Sequence, residues 1–321
     1  MGCEIIMAPL QGFTDAVFRD VYFRHFTGVD HAMAPFISTM TSCRINSSRL
    51  KDVIPENNIH FPGLIPQILG NDVRDFLFLA EKLVEMGYGC VNWNMGCPHS
   101  KVARKKRGSG LLPHHDMVAE LLEGIFAAIP CSLSIKLRLG RHDSDEIFRL
   151  LPVFDKYPID ELIVHPRTGV QMYTGKADVD AFERVAARTS HTLVYNGDIV
   201  SVRGFETIAR RFPDITRFMI GRGILANPFL PSEIKGKDRD PCEDLDRLKL
   251  FHDELFETYC HKFYGPVHVT GRMKGFWAYL GQSFPDARKS IKKMLKSKSR
   301  EQYQAAAETF FSLKCSFLPP E

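Results

Sequence analysis

No stretch of the 321-residue sequence approaches the roughly 20 consecutive apolar residues that a membrane-spanning helix needs. The opening Met1-Gly2-Cys3-Glu4-Ile5-Ile6-Met7-Ala8-Pro9 lacks the basic and apolar regions of a secretory leader, and Ile6 stands where a myristoylation motif wants Ser or Thr. A cytoplasmic protein with no membrane partner is therefore expected. The eight cysteines show no paired spacing, which argues against both a disulfide framework and a zinc module, so no metal is expected either. A Gly-x-Gly-x-x-Gly turn after an early strand is also missing, which disfavours an open dinucleotide-binding sheet. Nor is there an internal repeat of roughly 20 to 50 residues or a low-complexity tract. Charge imbalance is slight: a net charge of +4 permits a polyanionic partner without demanding one, so the placement of basic residues says more than their sum.

What is present is the composition of a globular protein, 44% hydrophobic and 25% charged. Short apolar runs recur at 4–9, 31–37, 64–69, 90–96, 132–139, 161–167, 192–198 and 217–223, each followed by a stretch long enough for a helix. This alternation of β and α units predicts an α/β fold, a closed (β/α)8 TIM barrel. Helical patterns at 73–86 and 116–129 have Asn71 or Asp72 and His115 or Asp116 as candidate caps. The alternation stops after Phe229, and a polar segment, Lys235-Gly236-Lys237-Asp238-Arg239-Asp240-Pro241, reads as a linker. From 245 to 313 the pattern is helical, with Phe251, Phe256, Tyr259, Phe263, Phe276, Trp277, Tyr279, Phe310 and Phe311 at spacings that suit a bundle core. The expected organisation is a barrel over 1–235 and an all-α helical bundle over 242–321.

The most informative stretch is Cys90-Val91-Asn92-Trp93-Asn94-Met95-Gly96-Cys97-Pro98. A short buried strand runs out at Gly96 and Pro98 and leaves the Cys97 thiol at its C-terminal mouth, beside the basic loop 101–107. In a barrel of this class the working residues sit at strand C-termini, and several of these ends are polar. The first ends Pro9-Leu10-Gln11, the third carries Gln67, the fifth Lys136 and Arg138, the sixth His165 and Arg167. Lys136 reads either as a salt-bridged structural lysine or as a fixed charge beside a ring that gains negative charge on reduction, as a flavin does. His165 reads as a core histidine or a ligand contact. The last two strands end in Asn196-Gly197-Asp198 and Gly221-Arg222-Gly223, where backbone N–H groups and Arg222 suit a phosphate. Together with Lys136 they favour flavin mononucleotide, FMN, over a dinucleotide.

With these residues in place, nearly the whole chain resembles the tRNA-dihydrouridine synthases, flavoenzymes that reduce a uridine C5–C6 double bond in RNA. The resemblance rests on Met7-Ala8-Pro9, Thr14-Asp15, Phe18-Arg19, Gln67, Asn94-Met95-Gly96-Cys97-Pro98, Gly108-Ser109, Lys136-Leu137-Arg138-Leu139-Gly140, His165, Arg167-Thr168, Tyr173, Gly175, Asn196-Gly197-Asp198 and Ile220-Gly221-Arg222-Gly223. The segment from Arg272-Met273-Lys274 to Tyr279-Leu280 is similar to the family's C-terminal RNA-binding part. The resemblance implies that Pro9, Leu10, Gln11, Gln67, Lys136, His165, Asn196, Gly197, Asp198, Gly221 and Arg222 hold FMN. It implies that Cys97 is the proton donor, that Asn94 and Arg167 lie near the uracil, and that NADPH is the reductant. Leu10, Pro166 and the run Lys105-Lys106-Arg107 depart from the usual pattern and bear on the subfamily, for which a bacterial C type is the expectation.

A target base in folded RNA must be splayed out to reach such a mouth, at a cost that contacts elsewhere offset. Lys101 in the basic loop, Arg272 and Lys274, and Lys292 and Lys293 within the basic stretch 288–300 are the expected tRNA contacts. The protein is expected to act as a monomer. The rival reading is a flavin barrel acting on a small pyrimidine, of the dihydroorotate dehydrogenase type; the helical tail and basic stretches speak against it, since a free pyrimidine needs neither.

Overall fold

Successive residues of a strand face opposite ways, and this parity sorts the side chains of the sheet into two layers. The computed structural model describes residues 2–61, 63–237, 240–262, 266–313 and 315–320; Met1, Asp238, Arg239 and Phe263, used in the sequence reading, lie outside them. Ten parallel segments form the sheet: β1 (Glu4–Met7), β2 (His31–Met33), β3 (Ile37–Ser38), β4 (Leu64–Ile65), β5 (Gln67–Leu69), β6 (Cys90–Met95), β7 (Ser132–Gly140), β8 (Leu162–Thr168), β9 (Leu193–Tyr195) and β10 (Arg217–Ile220). Their order is β3-β5-β6-β7-β8-β9-β10-β1-β2-β4. The ends of this order meet. β2 and β3 are halves of one strand interrupted around Pro35, and β4 and β5 are halves of another interrupted at Pro66, where proline offers no N–H. Because β2 pairs with β4 (Ala32 with Leu64) and β3 with β5 (Ile37 with Ile68), the ten segments close into the eight strands of a (β/α)8 barrel. This agrees with the expected fold.

β7 shows the sorting most clearly. Leu133, Ile135, Leu137 and Leu139 join the large apolar layer shared with the surrounding helices. The alternate residues Ser134, Lys136 and Arg138 face the barrel axis and climb from floor to mouth in steps of about 6.6 Å. Inside the barrel, Ile6, Ala8, Met33, Ile163, Val194 and Met219 form a small separate plug. The last two strands fall furthest short of the sequence prediction: β9 stops at Tyr195 before Gly197, and β10 stops at Ile220. Arg222 consequently opens a short helix, Arg222–Ala226, instead of closing a strand. Asp72 caps the helix Val73–Glu85 as expected, whereas the helix His115–Phe126 starts after His114 with no side-chain cap.

Beyond the barrel lie the helices Pro241–Lys262, Pro266–Leu280, Arg288–Lys296 and Arg300–Phe311. Phe251, Phe256, Tyr259, Phe276, Trp277 and Phe310 are buried, as their spacing predicts, while Tyr279 and Phe311 are partly exposed. The basic stretch 288–300 is not one helix: Ser297 leaves the helical conformation and Ser299 caps the next helix by accepting from the Gln302 N–H. The region docks on the first barrel helix, Ala16–His25. The Phe251 ring packs edge-on against Phe18 at 5.8 Å and Phe26 at 5.1 Å, and the Tyr259 hydroxyl donates to the Asp15 carboxylate at 3.1 Å. Among the described residues no helix is long and apolar enough to cross a membrane, and no cluster of His, Cys, Asp and Glu could hold a metal.

Candidate active site

The inward residues of β7 set the axis of a cleft at the C-terminal ends of the strands. Lys136, half-buried, donates to the Asn196 side-chain oxygen at 2.6 Å, and Asn196 in turn donates to the Met219 carbonyl at 2.9 Å. Burial, and then the Arg138 charge, push the Lys136 ammonium down to about 7. One end of the cleft is bordered by Pro9, Leu10, Asn196, Gly197, Asp198, Gly221 and Arg222. The other end is bordered by Gln11, Phe13, Asn94, Cys97, Arg138 and Tyr279. Lys136, His165, Tyr173 and Arg222 border both, so the two ends form one continuous cleft.

Around the first end the charges are held by one carboxylate. Asp198 accepts two hydrogen bonds from the Arg167 guanidinium, at 2.9 and 2.5 Å, one from Arg222 at 2.8 Å and one from the Ala177 N–H at 2.9 Å. Burial alone would raise the Asp198 carboxyl, but these donors and the two arginine charges outweigh it and hold it below the usual range. Arg167 also donates to His165 Nε2 at 3.0 Å, which places the imidazole proton on Nδ1. Burial and the surrounding Arg138, Lys136, Arg167 and Arg222 charges push His165 well below its ordinary value, so the ring is neutral. Tyr173, 45% exposed, lies between two guanidinium groups, Arg138 at 5.4 Å and Arg222 at 5.0 Å from the ring centre.

Cys97 sits at the other end on a loop pinned from both sides. The Asn94 side-chain oxygen accepts from the Gly96 and Cys97 N–H groups at 3.1 and 2.9 Å, and the Cys97 carbonyl accepts from the Ser109 N–H and hydroxyl, both at 3.0 Å. Gly108 makes the return possible: its φ is +56°, and a Cβ there would stand 2.8 Å from the Cys97 carbonyl oxygen. Burial pushes the Cys97 thiol up, opposed by the His99 backbone N–H and the Arg138 and Arg141 charges. The thiol is therefore protonated at neutral pH.

Three of the residues expected at the ligand make several hydrogen bonds within the protein. Gln67 is fully buried; its amide donates to Asn92 at 2.8 Å and accepts from Asn94 at 2.7 Å, while Asn92 donates to Ser134 at 2.8 Å. A chain of amides thus runs from the barrel interior to the Cys97 loop, and both Gln67 and Asn94 are links in it. Asn94 still borders the cleft, but its oxygen and one amide hydrogen are committed. Arg167 is 1% exposed and bound to Asp198, His165 and the Gly175 carbonyl, while among the described residues its Nε–H has no partner. The expected RNA contacts scatter. Lys101 borders a separate trough on the rim, and Lys292 and Lys293 are exposed on the helical region. Arg272 pairs with Asp15 at 3.6 Å, and the Lys274 ammonium donates to the Ser297 carbonyl at the end of a helix. Both are thereby engaged in holding the helical region together and onto the barrel. Tyr173 and Arg138 are the cleft residues to which the sequence reading gave no role; their signal was the parity of β7 and an aromatic in the loop that follows β8.

A family model described as dihydrouridine synthase (Dus) matches residues 6–309. The protein named tRNA-dihydrouridine synthase B of Escherichia coli (strain K12) is 30% identical over 282 residues, with 82% of this chain and 82% of that protein covered. Its namesake from Vibrio cholerae is 28% identical over 274 residues, covering 82% and 81%. Both carry the letter B, not the C type expected from the sequence. Among solved structures, morphinone reductase superposes with a TM-score of 0.52 at 12% identity over 74% of this chain and 87% of that one. An old yellow enzyme homologue from Zymomonas mobilis gives 0.53 at 13% identity over 74% and 89%. These two likenesses concern the barrel fold alone.

Proposed function

The chain belongs to the dihydrouridine synthase family, and from that premise we propose how its cleft reduces a tRNA uridine to 5,6-dihydrouridine: FMN lies against Lys136, and Cys97 is the proton donor. One observation carries this reading: Cys97, Lys136 and the glycine-lined end with Arg222 border a single cleft at the strand C-termini.

The donor set fits FMN. The Lys136 ammonium gives one N–H to Asn196 and has two more for the polar edge of an isoalloxazine. Arg222 and the backbone at Gly197 and Gly221 suit a phosphate, and Pro9 and Leu10 offer an apolar wall. When bound, the flavin supplies hydride from its N5 to C6 of the uracil, with NADPH as the reductant in this reading. Cys97 then gives its proton to C5. Burial keeps the thiol protonated beforehand, and the Arg138 and Arg141 charges stabilise the thiolate left behind. The amide chain through Gln67, Asn92 and Asn94 keeps that sulfur in place. In this reading residues 1–235 perform the chemistry and 242–321 grip the tRNA, with Lys292 and Lys293 among the phosphate contacts. The enzyme works as a monomer in the cytoplasm.

The test is reduction of an unmodified tRNA transcript by flavin-loaded protein and NADPH, scored as dihydrouridine. Replacing the donor, Cys97→Ala, lowers turnover by about 10²- to 10⁴-fold while flavin content is unchanged. Full turnover by that variant removes Cys97 from the role, and absence of dihydrouridine with the unaltered protein on any tRNA overturns the reading as a whole.

A further inference from the structure

Two of the motifs that carry the family resemblance, Thr14-Asp15 and Phe18-Arg19, border neither end of the cleft. What they hold does. Between β1 and the helix Ala16–His25 the chain turns through Ala8-Pro9-Leu10-Gln11-Gly12-Phe13, and Pro9, Leu10, Gln11 and Phe13 all border the cleft. Thr14, 1% exposed, ties the turn to itself: its hydroxyl accepts from the Leu10 N–H at 2.8 Å and donates to the Ala8 carbonyl at 3.0 Å. The Thr14 carbonyl accepts from the Arg19 guanidinium at 2.6 Å, and Arg19, equally buried, also donates to the Asp52 carbonyl and the Asn58 side-chain oxygen. The same turn rests on the helical region. Gly12 has a φ of +88°, and a Cβ there would stand 3.3 Å from Arg272 Nη1, the nitrogen that faces Asp15 at 3.6 Å. The Phe13 ring meets Tyr279 edge-on at 5.4 Å and covers Gly275, where a Cβ would stand 3.1 Å from it. Arg272, Gly275 and Tyr279 follow one another at helical spacing, so a single face of the helix Pro266–Leu280 lies along the turn.

We propose that the helical region is a structural part of the flavin site: its Arg272–Gly275–Tyr279 face and the buried Thr14 hydroxyl together hold the turn 8–13 in the form that receives FMN, which makes Thr14 and Arg272 positioning residues. The inference rests on the reading that FMN occupies this cleft. A region that served only to grip RNA would leave flavin binding untouched. Here the docking of the helices and the binding of flavin share one turn, so each favours the other. A turn released from either hold populates the receptive form less, and the apparent affinity falls by the fraction lost. Thr14→Val acts most directly, because it leaves the buried Leu10 N–H without its acceptor.

The experiment titrates the flavin-stripped full chain with FMN, with neither RNA nor NADPH present, and reads the quenching of flavin fluorescence. Thr14→Val is expected to bind FMN about 10-fold more weakly, and Thr14→Ser, which keeps the hydroxyl, to bind as the unaltered chain does. Two variants reach the turn from the helical side: Gly275→Val crowds Phe13 without lowering helix propensity, and Arg272→Met releases Gly12 and Asp15. Each is expected to weaken FMN by about 3-fold or more, and both decide the matter even if Thr14→Val does not fold. Urea unfolding of the same flavin-stripped chains separates positioning from mere stability. Lowered midpoints with unchanged FMN affinity in every variant overturn the inference and leave the proposed function intact, provided the unaltered chain binds FMN. Weakening by Thr14→Val alone confines the hold to the barrel and overturns the role given to the helical region. An unaltered chain that binds no FMN refutes the reading of the cleft itself, and this inference with it.

Discussion

At the floor of the barrel Glu161 is 2% exposed and faces the Arg217 guanidinium at 2.6 Å, which also reaches Glu4 at 2.9 Å. At the mouth Lys136 meets only the neutral Asn196 amide, and its charged neighbours Arg138 and Arg222 have its own sign. Both groups are driven toward their neutral forms, Glu161 up to about 7 and Lys136 down to about 7, by burial first. The difference lies in compensation. The floor supplies its own counter-charge, whereas at the mouth Asp198 is shared by Arg167 and Arg222, and among the described residues Lys136 and Arg138 have no carboxylate partner, so an anionic ligand would supply what the chain does not. One barrel thus devotes one end to stability and the other to binding, as strand polarity in this architecture leads one to expect.

The comparison breaks most visibly if the floor loses its cation. Arg217→Met leaves a buried carboxylate unpaired and is expected to cost about 3 kcal/mol in urea unfolding at pH 8, and less at pH 6, where Glu161 is protonated. An equal loss at both pH values would mean that packing of the arginine stem, not its charge, closes the floor. At the mouth, Lys136→Met should weaken retention of FMN by about 10- to 100-fold, the worth of a charge-assisted hydrogen bond, without lowering the urea midpoint of the flavin-stripped protein. If that midpoint falls as far as in the floor variant, the two ends are not different in kind.

The smallest effect sharpens the contrast through pH. Glu161 has a folded value near 7 against 4.5 when free, so the folded state binds the extra proton and stability declines as pH rises from about 4.5 to 7. Lys136 has a folded value near 7 against 10.5, so the unfolded state binds the extra proton and stability rises from about 7 to 10.5. The flavin-stripped protein should accordingly show a minimum near pH 7 in its melting temperature. Glu161→Gln removes the acidic limb, Lys136→Met removes the basic limb, and bound FMN flattens the basic limb alone. A flat profile would show that neither burial is felt.

Strand positions were legible in the sequence because apolar alternation survives at every one of the eight strands, and Cys97 was legible because Gly96 and Pro98 end β6 beside it. What sequence left ambiguous was the destination of inward polar residues. Gln67, Asn92 and Ser134 share the parity of Lys136 and Asn94, yet lie deeper, where they hydrogen-bond to one another. Parity tells which face a residue takes; depth along the barrel depends on register between strands, such as Gln67 level with Asn92, which only pairing reveals. The surroundings of Arg167 were hidden for the same reason. Its partner Asp198 comes from the loop after β9, a contact across 31 residues that no local pattern announces. The lysines of the helical region posed the opposite difficulty: Lys274 looked free and is engaged, because a carbonyl at a helix end 23 residues away captures it.

The interrupted strands at Pro35 and Pro66 have a dynamic consequence. Register there runs for two residue pairs at each step, Ala32 to Met33 and Ile37 to Ser38, against six between β6 and β7. Amide hydrogens along this arc should exchange with solvent ahead of those between β6 and β7, because fewer rungs must part to free them. That arc leads into the trough above it, so breathing of the staves would be felt sooner there than beneath the sulfur that must hold still.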